Sequence, residues 1–364
     1  MLNNILSKFG LEPKDYHIQK FGGGLINRTW KVTDGEKSDQ FILQQINKNV
    51  FKSPHDIADN ISKIGEFLHF HQPDYLFVSP LAATDGSYII NDNDEYYRLF
   101  PYVKSSITID TVRSTQEAFE ASRQFARFTY LLADFNVDNL NYTLVGFHDL
   151  TARYNQFRQS VNTADPERLN NAREVIKRAN LYQDIASTYE SLVKNKLIPF
   201  RVIHHDTKIS NILFDESRNG LCVIDLDTVM PGYYISDVGD MMRTYLSPYN
   251  EEEQDLTKIG IQEEFFKAIV EGYFSEMGTV ITAMERNLFV YAGKFMIYMQ
   301  ALRFLTDYFN CDVYYHTTYP EHNLVRAKNQ FALLDSYHAA EGRFQQILDT
   351  TISNLPVKHN VAFK

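Results

Sequence analysis

Three side chains between positions 206 and 225 are of the types that phosphoryl transfer requires. Asp206 can take a proton from an attacking hydroxyl, Asn211 offers a hard amide oxygen five residues later, and Asp225 offers a carboxylate beyond it. Mg²⁺ needs only one or two protein oxygens, because phosphate oxygens and water complete its shell, so Asn211 and Asp225 are enough for a metal site. Lys208 follows two residues after Asp206, where it either contacts a phosphate or extends into solvent. Asp227 is either a ligand for a second metal or a group that orients the loop. In isolation each has an ordinary reading as well: a loop carboxylate, a turn amide, a cap.

Such groups must be held by rigid elements. Apolar runs flank both polar clusters: Val202-Ile203 before, Ile212-Leu213-Phe214 between, and Leu221-Cys222-Val223-Ile224 before Asp225. They predict a strand–loop–strand island over 200–229 that keeps the polar side chains at strand ends. Upstream, from about 16 to 103, the segments HIQKFGGG, INRTWKVTD, QFILQQIN, FVSPLAATDG, SYIIND and EYYRLFPYV read as strands of an antiparallel sheet, punctuated by GG, DG and ND turns. One helix interrupts them over 53–70, where Ile57, Ile61, Ile64 and Leu68 recur at helical spacing. After Thr108 the pattern turns helical, with long periodic stretches over 113–134, 166–195 and 262–305. The division predicts a small β-rich lobe, residues 1–103, and a larger helical lobe, residues 104–364, with a cleft between them. Within the first lobe, Gly22-Gly23-Gly24 joins two strand patterns. Glycines there allow positive φ and close approach of backbone N–H groups to phosphate oxygens, or simply make a hairpin turn.

Composition narrows the field. At 364 residues the chain is long enough for two lobes, and 44% apolar against 23% charged residues, with 26 Phe and 23 Tyr, excludes a disordered or fibrous main state. A net charge of −10 argues against a nucleic-acid partner, which needs clustered cations. A small anionic ligand is still accommodated if a divalent metal supplies positive charge. Cys222 and Cys311 form neither a disulfide framework nor a metal-ligand spacing. The N-terminal stretch has no signal-peptide pattern, and the apolar stretch over 289–305 is broken by Lys294 and Arg303. The expectation is a soluble cytoplasmic protein with no membrane partner; no oligomeric state is specified.

The pattern His204-x-Asp206-x-x-x-x-Asn211, followed by Ile224-Asp225, resembles the catalytic loop and metal aspartate of the aminoglycoside phosphotransferase and choline kinase superfamily. Within it, HHDTKISNILFD, LCVIDLDTVMPG, SDVGDMMR, FGGGLINRTW, FILQQIN, RLFPYV, GFHDL and RFLTDYFN most resemble the N-acetylhexosamine 1-kinases, over about residues 20–316. The resemblance implies an α+β, protein-kinase-like two-lobe fold and ATP- and Mg²⁺-dependent phosphorylation of the anomeric hydroxyl of an N-acetylhexosamine, a small-molecule sugar. Asp206 and Lys208 become the catalytic candidates, with Asn211 and Asp225 as metal ligands and His204 as a brace for the loop. Gly22, Gly23, Gly24, Asn27, Thr29, Gln44, Phe100 and Tyr102 become the nucleotide contacts. Here the 98–103 connector would offer N–H and C=O groups to adenine, unless it is an ordinary proline-stiffened linker.

For the sugar the resemblance implies Arg303, Asp307 and Tyr314. A structural i,i+4 ion pair is the bland reading of Arg303 and Asp307. Asp149 is more easily structural, and Asp237 and Asp240 anchor the segment after the metal site. One departure stands out. Where protein kinases carry a strand lysine for the α- and β-phosphates, this chain has glutamines at 44 and 45. Either Lys31, Lys48 or Arg28 substitutes, or the metal and loop amides carry that charge, or nucleotide affinity is modest; Gln44 or Gln45 can still hydrogen-bond phosphate at reduced electrostatic strength. Two rivals follow: the same machinery acting on choline, homoserine, an aminoglycoside or another hexose, and a catalytically inactive nucleotide-binding scaffold.

Overall fold

The computed structural model describes residues 2–12, 16–22, 24, 26–35 and 40–355. The alternating strand patterns form one antiparallel sheet. A short helix α1 (Leu2–Lys8) precedes strands β1 (Tyr16–Lys20), β2 (Arg28–Asp34) and β3 (Gln40–Ile46); helix α2 (Pro54–His71) follows, then β4 (Ile90–Asp92) and β5 (Glu95–Pro101). The spatial order is β1-β2-β3-β5-β4. Val32, Leu43, Tyr97 and Leu99 point to one face and bury against Ile5 and Leu6 of α1, which gives the sheet its own small core. The register sets Gln44 opposite Arg98 and Thr29 opposite Gln44, so these three polar side chains share the other face in a row.

The segment 77–86 is not a strand. Pro80 has no N–H to give a ladder, and Leu81 makes a single bond to the Leu99 carbonyl, 2.7 Å.

Helix α2 sends Ile57, Ile61, Ile64 and Leu68 not into the sheet's core but into the large core of the helical part. Between them Asn60 is fully buried and satisfied. Its amide donates to the carbonyls of Asn141 (2.9 Å) and Val229 (3.0 Å) and accepts from the Asn141 N–H (2.8 Å), tying α2 to the helical part.

The helical part contains α3 (Thr115–Leu131), α4 (Leu150–Thr163), α5 (Pro166–Asn171), α6 (Arg173–Leu181) and α7 (Gln183–Lys194). Two short ribbons follow, made of β6 (Arg201–Ile203), β7 (Ile212–Phe214), β8 (Gly220–Val223) and β9 (Met230–Gly232). Then come α8 (Ile235–Tyr245), α9 (Glu263–Met277), α10 (Ala283–Asn287), α11 (Phe289–Phe309) and α12 (His322–Asn354). The periodic stretch 166–195 is three helices, broken at Ala172 and Tyr182, and the 200–229 island is a pair of ribbons, β6–β9 and β7–β8. Helices α4, α8 and α12 lie outside the periodic stretches named above. Among the described residues no helix is long and apolar enough to cross a membrane.

Helix α11 is buried nearly all round and forms the axis of this part, packed by α4, α8 and α12. Its approach to α8 requires a glycine: a β-carbon at Gly239 would overlap the Ala292 carbonyl oxygen and lie 2.8 Å from Cβ of Met296. Gly239→Ala should therefore destabilise the protein by roughly 1–3 kcal/mol through overpacking, read as a lowered urea midpoint at unchanged slope.

Candidate active site

The catalytic-loop sequence starts where β6 ends and reverses direction, with His205 in the left-handed region at φ 65°. Turning the chain here leaves buried N–H groups without ladder partners. Helix α8 satisfies them. Asp237 accepts from the N–H of His204 (2.9 Å) and of His205 (2.7 Å), and Asp240 accepts from the N–H of Thr207 (3.0 Å). The Tyr245 hydroxyl donates to the Thr207 carbonyl, 2.6 Å. Burial raises the Asp237 carboxyl to about 7, while its two backbone N–H bonds oppose that rise. Gly232 on β9 leaves room for the His205 imidazole; a β-carbon there would lie 2.5 Å from its Nε2.

Both histidines are neutral braces. Burial lowers His204 below its usual value and His205 to about 4. His204 donates from Nε2 to the Ile224 carbonyl (2.9 Å) and accepts the Asp206 N–H on Nδ1 (3.3 Å), so one imidazole spans from the catalytic loop to the residue before Asp225. His205 donates from Nδ1 to the carbonyls of Ile203 and Thr228.

These braces bring the sequence-predicted residues together. Asn211, in a 3₁₀ turn, donates its amide nitrogen to the Asp206 carbonyl (2.9 Å) and carboxylate (3.2 Å), which leaves the amide oxygen outside those bonds. Its backbone carbonyl accepts from Ile224 N–H (2.9 Å), fixing the two loops in register. Lys208 is half exposed with Nζ 3.2 Å from Asp206 Oδ1. Burial alone would raise the Asp206 carboxyl, but the Lys208 charge and its N–H bond win, and the group lies below its ordinary value. The same attraction raises the Lys208 ammonium.

Asp225 adopts φ 59°, an uncommon conformation for a residue with a β-carbon, and is open to water at its side chain. Crowding by protein, then the charges of Asp227 and Asp206, push its carboxyl up to about 7. A carboxylate raised by like charge is one that a cation would stabilise. Among the described residues no three His, Cys, Asp or Glu side chains cluster on one metal position. The donor set at hand, an amide oxygen and a carboxylate oxygen, is hard and sparse, and that fits Mg²⁺ and no softer ion.

Asp227 ties its loop to the sheet. It is buried, with Oδ1 2.5 Å from Nη2 of Arg98 on β5 and Oδ2 accepting from the Asn27 amide at 2.6 Å. Arg98 also donates from Nε and Nη2 to the Gln44 amide oxygen (3.1 and 2.9 Å), and Gln44 donates to Thr29 Oγ1 (3.3 Å). Asn27 further accepts the Asn47 N–H, 3.0 Å. Asn27, Thr29 and Gln44, expected as nucleotide contacts, are thus members of a clasp joining the sheet to the metal loop. Arg98 carries the buried charge in that clasp. None of the three substitutes expected from sequence does so: Lys48 pairs with Asp94 at 2.5 Å on the surface, Lys31 lies 3.9 Å over the Tyr102 ring, and Arg28 is exposed. The signal for Arg98 was a cation inside an apolar strand, opposite a glutamine once the register is known.

In the glycine segment, Gly22 takes φ 75° with open space around it, Gly24 lies near the Asn27 carbonyl, and Gly23 is outside the described residues. Tyr102 does not offer its N–H to the cleft, because it extends the sheet by donating to the Gln40 carbonyl (3.0 Å); its ring packs on Phe21. Phe100 is half buried on β5, opposite Ile42 and 5.0 Å from the Arg98 guanidinium.

The acceptor-side segments converge beside His205. His148 stacks on Phe147 (4.4 Å) and approaches the His205 ring at 5.2 Å. From α11, the Arg303 guanidinium lies 5.0 Å from the Phe147 ring, 5.6 Å from Tyr315 and 5.9 Å from Tyr314, and it donates to Gln300 (3.0 Å). Arg153 of α4 donates to the Phe147 carbonyl. Asp307 is not paired with Arg303 and is buried. Its carboxylate accepts the N–H groups of Tyr314 (2.8 Å) and Tyr315 (2.9 Å) and the Asn323 amide (2.9 Å), and so shapes the loop that carries the tyrosines. Asp149 caps α4 by accepting the Ala152 N–H. Phe147 and His148 went unassigned in the sequence because GFHDL carries no periodicity; only the fold places them beside the catalytic loop.

A family model described as the phosphotransferase enzyme family matches residues 17–278. The chain is also similar to solved structures. A microcompartment-associated aminopropanol kinase superposes with TM-score 0.61 at 17% identity, covering 94% of this chain and 98% of that one. An aminoglycoside phosphotransferase from Alicyclobacillus acidocaldarius gives 0.62 at 14%, covering 93% and 95%. A spectinomycin phosphotransferase, solved with ADP and spectinomycin, gives 0.55 at 13%, covering 96% and 97%. At these identities the likeness concerns the fold, a small antiparallel sheet lobe with a larger helical lobe.

Asp237→Asn tests the anchoring of the loop. An amide can accept only one of the two N–H bonds and turns its NH₂ toward the other, so stability should fall by about 1–3 kcal/mol. Amide exchange at His204 and His205 should accelerate before exchange in α11 does, as hydrogen-exchange mass spectrometry would reveal.

Proposed function

The chain belongs to the phosphotransferase enzyme family, and from that premise we propose that it transfers the γ-phosphate of ATP, with Mg²⁺, to the anomeric hydroxyl of an N-acetylhexosamine, giving the sugar 1-phosphate. Residues 1–103 act as the nucleotide lobe and residues 104–364 as the catalytic and acceptor lobe. The observation that carries the acceptor class is the charge of the pocket wall. Arg303 stands in an aromatic frame of Phe147, Tyr314 and Tyr315, with Arg153 behind it. The nearby carboxylates have partners already: Asp149 a helix end, Asp240 and Glu251 Arg243, Asp307 two backbone amides. A cationic acceptor such as choline or an aminoglycoside meets a like charge there, without the acidic wall it requires. A neutral sugar meets an arginine fork and tyrosine hydroxyls, which recognise directed hydroxyl and amide groups. The match of GFHDL and RFLTDYFN to the hexosamine kinases supports the N-acetylhexosamine reading within that class.

Asp206, held by Asn211 and Lys208, orients the acceptor hydroxyl and receives its proton as the new O–P bond forms. The bond between the γ-phosphorus and the β,γ-bridging oxygen breaks, and ADP leaves with that electron pair. A base below its ordinary pKa suits a loose transition state, where the proton moves late. Lys208, beside Asp206, neutralises charge on the transferred group. Asn211 and Asp225 would hold Mg²⁺, which when bound would supply neutralisation of phosphate charge. The intact set of Asp206, Asn211 and Asp225 speaks against an inactive scaffold.

Two measurements test this reading. A screen of N-acetylhexosamines, other hexoses, choline, homoserine and aminoglycosides with ATP, read by product mass, should give a sugar phosphate; phosphorylated choline or aminoglycoside alone would overturn the acceptor class. Arg303→Ala should raise the sugar KM by about tenfold or more while leaving the ATP KM within twofold. For the chemical step, Asp206→Asn should lower kcat by roughly 10²–10⁴ with ATP binding nearly unchanged, and more than half the wild-type kcat would remove Asp206 from its role.

A further inference from the structure

The Arg98–Asp227 pair is buried on both sides, with 3% and 2% of the two side chains exposed. A buried ion pair requires further hydrogen bonds to offset desolvation, and here they are incomplete. Nε and Nη2 of Arg98 donate to Gln44, and Nη2 also lies 2.5 Å from Asp227 Oδ1 as an ion pair, but among the described residues Nη1, like Asp227 Oδ1, is buried with no hydrogen-bond partner. An orphaned donor on a buried cation is costly unless a ligand completes it. Its place is informative. Arg98 lies on the polar face of the sheet, in the row with Gln44 and Thr29, and Thr29 also bonds the glycine segment through its carbonyl to Phe21 N–H, 2.9 Å. On the other side it reaches the loop two residues beyond Asp225. A phosphate chain running from the glycine segment to the metal loop would pass this guanidinium.

We propose that Arg98 is the cation of the nucleotide phosphate site, donating from Nη1 to a phosphate oxygen, with Asp227 holding the guanidinium in place through Nη2. This rests on the nucleotide part of the proposed function and is independent of the acceptor. The geometry also explains how the sheet does without a strand cation at 44. The glutamine there is the group that aims the cation of the neighbouring strand.

Calorimetric binding of adenosine, ADP and ATP, in EDTA and without acceptor, tests the assignment. Arg98→Met leaves Asp227 buried without its partner and risks misfolding, so the Arg98→Met/Asp227→Asn double variant, whose interior is neutral, is measured beside it, with Arg98→Lys as the conservative comparison. Loss of a charge-assisted hydrogen bond should weaken ADP and ATP by about tenfold or more in the double variant and leave adenosine within twofold, with partial recovery in Arg98→Lys. If adenosine and ATP weaken equally, or the double variant binds ATP like wild type, Arg98 is only a structural clasp and the proposal is overturned. A wild-type protein that binds no adenine nucleotide overturns the nucleotide reading and this proposal together. Failure of the sugar reading alone leaves these binding results standing.

Discussion

A chain that reverses direction inside a protein must find partners for the N–H groups it turns inward, and the loop after β6 meets that requirement through two carboxylates on one helix. Asp237 takes the N–H groups of His204 and His205, and Asp240 takes that of Thr207. Because each bond joins backbone to an ionisable side chain in a dry region, none is replaceable by water. The position of Asp206 is therefore a consequence of the position of α8. Helix α8 is in turn set against α11 by the close approach at Gly239, and α11 carries Arg303. Asp206 and Arg303 are thus referenced to the same pair of helices.

Two imidazoles extend this frame. Neutral because they are buried, they act as rigid connectors with one donor and one acceptor nitrogen. His204 links the catalytic loop to Ile224, immediately before the left-handed Asp225, while His205 closes the loop onto Thr228. The strained φ at Asp225 is sustained because the backbone on either side is already bonded, through Ile224 N–H to Asn211 and Val229 N–H to Leu226. Charge is arranged unevenly across this frame. Around Asp225 carboxylates crowd, and Asp225 rises to about 7; around Arg303 arginines crowd and the carboxylates are bonded elsewhere. The same floor therefore carries an acidic region next to a basic one.

Between the two lobes, the buried clasp of Asn27, Arg98 and Asp227 is a directional link, where apolar packing alone would leave the relative setting of sheet and loop less sharply defined. Such a pair contributes little net stability after desolvation, and its value lies in fixing geometry. Asn60 does the same for α2, whose apolar face already belongs to the core of the helical part. The sheet keeps a small core of its own and is joined to the rest by these polar contacts and by Ile46 and Tyr96, which pack into the larger core.

The grouping of Asp206, Asn211 and Asp225 was legible in the sequence because it depends on residue type and short spacing, with apolar runs that force strands on either side. The antiparallel sheet, the helix over 53–70 and the two-lobe division were legible for the same reason: periodicities of 2 and 3.6 are local properties of the chain. What sequence alone left undecided depends on which long-range partner a side chain meets. Gln44 reads as a phosphate contact until the register puts Arg98 opposite it. Asp307 reads as an ion-pair or sugar ligand until the loop after α11 folds back and presents two N–H groups. Asp227, equally suited by type to a metal or a loop, meets a cation 129 positions away in the chain. A polar side chain's role is set by its nearest complementary group in space, and only the tertiary structure specifies that neighbour.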